Sequence, residues 1–194
     1  MKMLRCFIAV ELPIGVQRAI RTACAKARSA LGPETVRWIP EQNIHLTLKF
    51  LGDTAPTSLE PIEAALRAEV PQYKAFNVEL QGLGAFPDVK RARVLWIGLE
   101  APSTLASLQH ALDAATNRLG YVSEERGFSP HLTIGRVRQN ASSVELQRIR
   151  DVIKGTAIGA IGTLRVEAIH LYKSELSPTG SVYSQLCTVH LSSG

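Results

Sequence analysis

Ile44-His45-Leu46-Thr47-Leu48-Lys49-Phe50-Leu51 and Pro130-His131-Leu132-Thr133-Ile134-Gly135-Arg136 carry one pattern twice. Side chains alternate along a half-buried strand, so the first stretch places His45, Thr47 and Lys49 on one face and Leu46, Leu48 and Phe50 on the face toward the core. By the same rule His131 and Thr133 point away from Leu132 and Ile134. One His-x-Thr on a strand is ordinarily just a polar face. Two of them, 86 residues apart, suggest a repeat.

Working outward, the hydrophobic period predicts a strand over 4–10, a helix from Pro13 to Leu31, the strand 44–51 ended by Gly52-Asp53, a helix over 57–70 and a strand over 76–81. Gly82-Leu83-Gly84 reads as a loop. The order then resumes with a strand over 94–99, helix 103–119, strand 131–136, helix 142–154, and strands 164–173 and 182–191. Phe7-Ile8-Ala9-Val10-Glu11 echoes Trp96-Ile97-Gly98-Leu99-Glu100 at an offset of 89, and Val78-Glu79 echoes Val166-Glu167 at 88. These near-constant offsets predict an α+β fold: two pseudo-symmetric βαβαβ lobes, about 1–92 and 93–194, flanking a central cleft within one domain of residues 1–194. Lys90-Arg91-Ala92-Arg93 falls at the junction, as a solvated turn or a phosphate-facing rim.

The 194 residues are 45% hydrophobic and 20% charged, which excludes intrinsic disorder and supplies a core without a metal or disulfide staple. A net charge of +5 favours a polyanionic partner. Cys6, Cys24 and Cys187 are odd in number and far apart, which fits a reducing compartment. The apolar run Phe7 to Val10 is too short for a signal peptide and no stretch is long enough to span a membrane, so a cytoplasmic protein is expected.

Duplicated lobes would carry the two motifs to equivalent places across a cleft. In-line displacement at phosphorus calls for that arrangement: a neutral imidazole takes a proton from the nucleophile, while an imidazolium on the other side protonates the leaving oxygen. Thr47 and Thr133, with a cation, would hold the non-bridging oxygens. Neither motif has the ligand spacing of a metal site, and nucleophile-elbow and P-loop signatures are absent, so neither metal nor cofactor is expected. Spacing alone leaves open which histidine is acid and which is base.

The paired His45-Leu46-Thr47-Leu48 and His131-Leu132-Thr133-Ile134 motifs resemble the 2H phosphoesterase superfamily, and within it the RNA 2',3'-cyclic phosphodiesterases also labelled 2'-5' RNA ligases. Arg5 to Pro13, Trp38, Lys49-Phe50-Leu51-Gly52, Phe128-Ser129-Pro130 and Gly135-Arg136 extend the likeness over nearly the whole chain. The resemblance implies sheets forming a V-shaped cleft and metal-independent hydrolysis of an RNA 2',3'-cyclic phosphate end to a 2'-phosphate. By motif order His45 would be the proton donor and His131 the acceptor. Arg136 resembles a phosphate-binding residue, but strict alternation turns it away from His131 unless Gly135 bulges the strand. Lys49 is expected on His45's face without a bulge. The partner implied is RNA with a cyclic-phosphate end, including tRNA fragments, and the protein is expected to be a monomer.

His110, His170 and His190 read as structural, and Phe7 and Tyr183 as core aromatics that would otherwise stack on a base. Two other functions share these residues. One is ATP-independent 2'-5' joining of tRNA halves, the reverse chemistry; the other is a non-catalytic RNA- or nucleotide-binding module.

Overall fold

The computed structural model describes residues 2–123, 127–156, 158–177 and 180–193. Among the described residues the four expected helices are joined by nine strands, two more than the seven that the sequence predicts. They are β1 (Leu4–Glu11), α1 (Ile14–Ala30), β2 (Val36–Trp38), β3 (His45–Thr54), α2 (Leu59–Glu69), β4 (Phe76–Phe86), β5 (Val94–Glu100), α3 (Ser103–Asn117), β6 (His131–Val137), α4 (Ser143–Gly155), β7 (Ala160–Val166), β8 (Ala168–Ser177) and β9 (Gly180–His190). Each helix buries a stripe at helical spacing, as in Ile20, Cys24 and Ala27 of α1 or Leu105, Leu108 and Leu112 of α3. A capping box between Ser142 and Glu145 sets the start of α4.

All nine strands join one antiparallel sheet in the order β7-β4-β5-β6-β3-β1-β8-β9, with β2 on the side of β6. It has two similar halves meeting where β6 pairs with β3, giving the α+β, two-lobed architecture. The spatial halves are not the contiguous halves 1–92 and 93–194, however. Each sequence half sends its fourth strand across: β4 pairs with β5, and β8 pairs with β1. The helices cross as well, since α1 packs on β7 and α4, while α3 packs on β3 and α2. Exchange of this kind leaves one shared core running from Ile8 and Leu46 to Leu132 and Ile97.

Two sequence expectations change. The predicted strand 164–173 is extended throughout, but it changes partners at Glu167, so that β7 pairs with β4 and β8 with β1 and β9. Gly82-Leu83-Gly84 is strand rather than loop: Gly82, at φ 74°, is the extra residue of a bulge within β4. β2, only three residues long, was too short to signal by periodicity. Among the described residues no helix is long and apolar enough to cross a membrane.

Candidate active site

The two motif strands touch at a single pair, Leu46 opposite Leu132. In antiparallel register that bridge sets His45 across from Thr133 and Thr47 across from His131, all four on the face opposite the buried leucines. In a regular ladder, directly opposed Cβ atoms lie about 5 Å apart and diagonal ones about 7–8 Å, and His45 and His131 are diagonal neighbours about this one bridge. β3 and β6 pair nowhere else, and the strands therefore part on either side of the bridge.

Both imidazoles are held alike. His45 Nδ1 lies 2.8 Å from the carbonyl oxygen of Asn43, and His131 Nδ1 lies 2.7 Å from that of Ser129, in each case two residues upstream. A carbonyl only accepts, so Nδ1 carries the hydrogen and Nε2 is the atom left for chemistry. The Asn43 carbonyl is itself placed by the turn Glu41–Asn43, whose Asn43 amide donates to the Ser181 carbonyl at 2.7 Å. Neither Thr47 nor Thr133 spends its hydroxyl on another described residue.

Their surroundings differ. Phe7 stacks on His45 with ring centres 4.7 Å apart, and Tyr183 meets it edge-on at 5.2 Å. Burial pushes His45 down to about 4, a fall the Asn43 carbonyl only partly opposes. His131 is more open and meets the edge of Phe86 at 4.8 Å. Phe7 is 4% exposed, in keeping with a core aromatic, but with Tyr183 and Tyr172 it also forms the cage that dries His45.

Beyond the threonines, strict alternation fails in both strands. Leu48 of β3 is skipped in the pairing with β1, and Ile134 of β6 is skipped in the pairing with β5. Each strand therefore follows a buried residue with a second buried one, then returns an exposed residue to the histidine face. In β6 this bulge brings Arg136 to the side of His131 and Thr133. Gly135 permits it, because a Cβ there would stand 2.7 Å from Val36 Cγ1 and 3.1 Å from Trp38 Cε3.

In β3 the same bulge overturns the expected place of Lys49. The residue turns inward, 3% exposed, pairing with Asp113 and donating to the Val122 carbonyl at 2.7 Å. Desolvation pushes the Asp113 carboxyl up, but hydrogen bonds from Lys49 and Ser123 and the Lys49 charge outweigh it, leaving the carboxyl below its ordinary value. Phe50, expected in the core, stands 55% exposed on the His45 face, 6.3 Å from Phe7. No alternation rule could have found it, since the bulge is written by pairing with β1 rather than by local sequence.

The remaining histidines keep structural roles where contacts are seen: His170 is 9% exposed with Nδ1 3.0 Å from Thr188 Oγ1. In the junction cluster, Arg91 pairs with Asp88 in a turn, whereas Arg93 lines a groove that also holds Arg136. Among the described residues no cluster of three or more His, Cys, Asp or Glu is placed to bind a metal ion.

The chain is similar to known proteins. The chain is 32% identical over 182 residues to an RNA 2',3'-cyclic phosphodiesterase of Methanothermobacter thermautotrophicus, covering 94% of this chain and 96% of that protein. It is 30% identical over 183 residues to one of Thermotoga maritima, covering 94% and 93%. Among solved structures, E. coli LigT complexed with 3'-AMP superposes with a TM-score of 0.77 at 25% identity, over 98% of this chain and 99% of that one. A protein of Thermus thermophilus superposes with a TM-score of 0.76 at 27% identity, over 96% and 97%. The profile of the 2'-5' RNA ligase superfamily matches residues 16–177, and the chain belongs to that superfamily, the 2H phosphoesterases.

Proposed function

We propose that this protein hydrolyses RNA 2',3'-cyclic phosphate ends to 2'-phosphates by paired-histidine acid–base catalysis. The observation carrying this reading is the diagonal pair of imidazoles, each with Nδ1 tied to a carbonyl and Nε2 free, next to two uncommitted threonine hydroxyls. The names of the relatives support the substrate, and the 3'-AMP complex of LigT supports a nucleotide in this cleft.

His131 Nε2 takes a proton from water as the water oxygen bonds to phosphorus. The P–O3' bond breaks, and protonated His45 Nε2 gives its proton to the departing 3'-oxygen. Thr47, Thr133 and Arg136 hold the non-bridging oxygens as charge builds. The product carries a 2'-phosphate and a 3'-hydroxyl, and one proton exchange through solvent resets the pair.

His45, held near 4 by burial, must charge before it can donate. A phosphate charge about 4 Å from the ring is worth about 4 kcal/mol at an effective dielectric constant of about 20. That raises the imidazole by about 3 pH units, enough to protonate it near neutrality. The substrate's charge therefore favours the protonated form that His45 needs as the acid.

The test is turnover of adenosine 2',3'-cyclic phosphate with the product isomer read by 31P NMR, with and without EDTA. The expected product is the 2'-phosphate alone, at a rate EDTA leaves unchanged. A 3'-phosphate, a chelator-sensitive rate or no turnover contradicts the reading. Adding a strand with a 5'-hydroxyl to a cyclic-phosphate oligonucleotide reads the reverse, 2'-5' joining reaction in the same tube.

A further inference from the structure

On β6, past Thr133, the histidine face leads into a groove of about 490 Å³ lined by Arg37, Arg93, Arg136 and Arg138, with Gln139 and Asn140 at its edge and no carboxylate in its wall. Arg37 of β2 stands directly opposite Arg136, and Val94, next to Arg93, stands opposite Arg136 on the other side. The row thus crosses three adjacent strands. Like charges facing each other across a ladder destabilise a sheet. Arg37, Arg93, Arg136 and Arg138 have no ion-pair partner among the described residues, as is also true of Arg5, Arg18 and Arg148, whereas Arg21, Arg28, Arg67, Arg91, Arg118 and Arg165 each lie within 4 Å of a carboxylate.

The backbone at Arg93 and the side chain of Arg138 are nevertheless held in place. The Arg93 N–H donates to the Phe86 carbonyl at 2.7 Å and its own carbonyl accepts from Val137 at 2.9 Å, while Arg138 Nε donates to the Pro33 carbonyl at 2.8 Å. Arg136 lies three residues from Thr133, within about 10 Å, and Arg37 about 5 Å farther across the ladder. A line of guanidinium forks that starts beside the motif strand and leads away from it fits a chain of phosphates.

We infer that this arginine row carries the sugar-phosphate backbone of a single-stranded RNA whose cyclic-phosphate end lies between His45 and His131, with Arg37 and Arg93 each neutralising one internal phosphodiester. The inference rests on the function proposed above and deepens it by assigning the residues that hold the strand beyond its reacting end.

The experiment compares wild type with R37Q/R93Q on adenosine 2',3'-cyclic phosphate and on an octanucleotide with the same end, at about 50 and about 200 mM salt. Wild type is expected to show a lower KM for the octanucleotide at similar kcat. R37Q/R93Q should match wild type on the mononucleotide, which also reports that it folds, but raise the octanucleotide KM about tenfold. The slope of log(kcat/KM) against log salt should fall by about 1.4, at about 0.7 per phosphate of a single strand. Equal wild-type KM for both substrates, equal loss by the variant on both, or a duplex that competes as well as a single strand would overturn the inference. If wild type turns over neither substrate, the proposed activity fails on its own. The groove is then read by fluorescence anisotropy with a labelled octanucleotide ending in a plain 3'-hydroxyl, where equal affinity of wild type and R37Q/R93Q would overturn it.

Discussion

Phe50 and Arg136 occupy equivalent places 86 residues apart, each five residues after its motif histidine and each returned to the cleft face by a bulge. One lobe thus offers a ring at the cleft mouth and the other a guanidinium. An exposed phenylalanine on that face is a stacking platform for a base, worth about 1–3 kcal/mol. Phe50→Ala should raise KM for adenosine 2',3'-cyclic phosphate roughly five- to a hundredfold with kcat little changed. Steady-state kinetics on the adenosine and an abasic cyclic phosphate check this, since the abasic substrate should be indifferent to the change.

Gly135 is what allows Arg136 to turn back to the cleft, because Val36 and Trp38 fill the space behind it. A β-branched side chain there must push β2 aside. Gly135→Val is expected to cost about 1–3 kcal/mol in urea unfolding and to raise KM through the displaced Arg136. Unchanged stability would show that β2 yields freely.

Lys49 and Asp113 form a largely buried pair far from solvent competition, with side chains 2% and 19% exposed. Removing one member strands the other. Lys49→Met should lower stability by about 3–5 kcal/mol, and the double change K49M/D113L should restore most of it. Mononucleotide KM should stay at the wild-type value in the double variant; a large rise would mean that Lys49 reaches substrate after all.

His45 links the site to stability. Its folded value of about 4 lies below the ordinary 6.5, so the folded protein binds fewer protons, and this contribution is complete above 6.5 and lost as pH falls toward 4. About 3 kcal/mol is at stake. Urea melts at pH 7 and pH 4 should show a loss for wild type that exceeds the loss for His45→Gln by about that amount. Proton NMR should find His45 titrating near 4 in the free protein and moving upward when inorganic phosphate is added; no movement would contradict the account of how the acid is charged.

How much of this was written in the sequence follows from where the relevant interactions act. The faces of His45, Thr47, His131 and Thr133 are fixed by local alternation, and the helices by local stripes such as Ile20, Cys24 and Ala27, so both were legible. Lys49, Phe50 and Arg136 lie past bulges that depend on which strand lies alongside, and local period carries no such information. Gly135 was the one visible sign, and it pointed correctly for Arg136. The exchange of β4 and β8 between halves was hidden for the same reason: 164–173 looks like one strand because its backbone is extended on both sides of Glu167, although its partners change there.

The roles of the two histidines are separated most directly by replacing the leaving 3'-oxygen with sulfur. A thiolate departs without a proton, so a variant that lacks only the acid recovers on the sulfur substrate, whereas one that lacks the base does not. On the oxygen substrate His45→Ala and His131→Ala should each lose activity by at least about 10²-fold. On the sulfur substrate His45→Ala should return to near the wild-type rate and His131→Ala should remain impaired. Rescue of His131→Ala in place of His45→Ala would reverse the two roles, and full activity of both variants on the oxygen substrate would contradict paired-histidine catalysis itself.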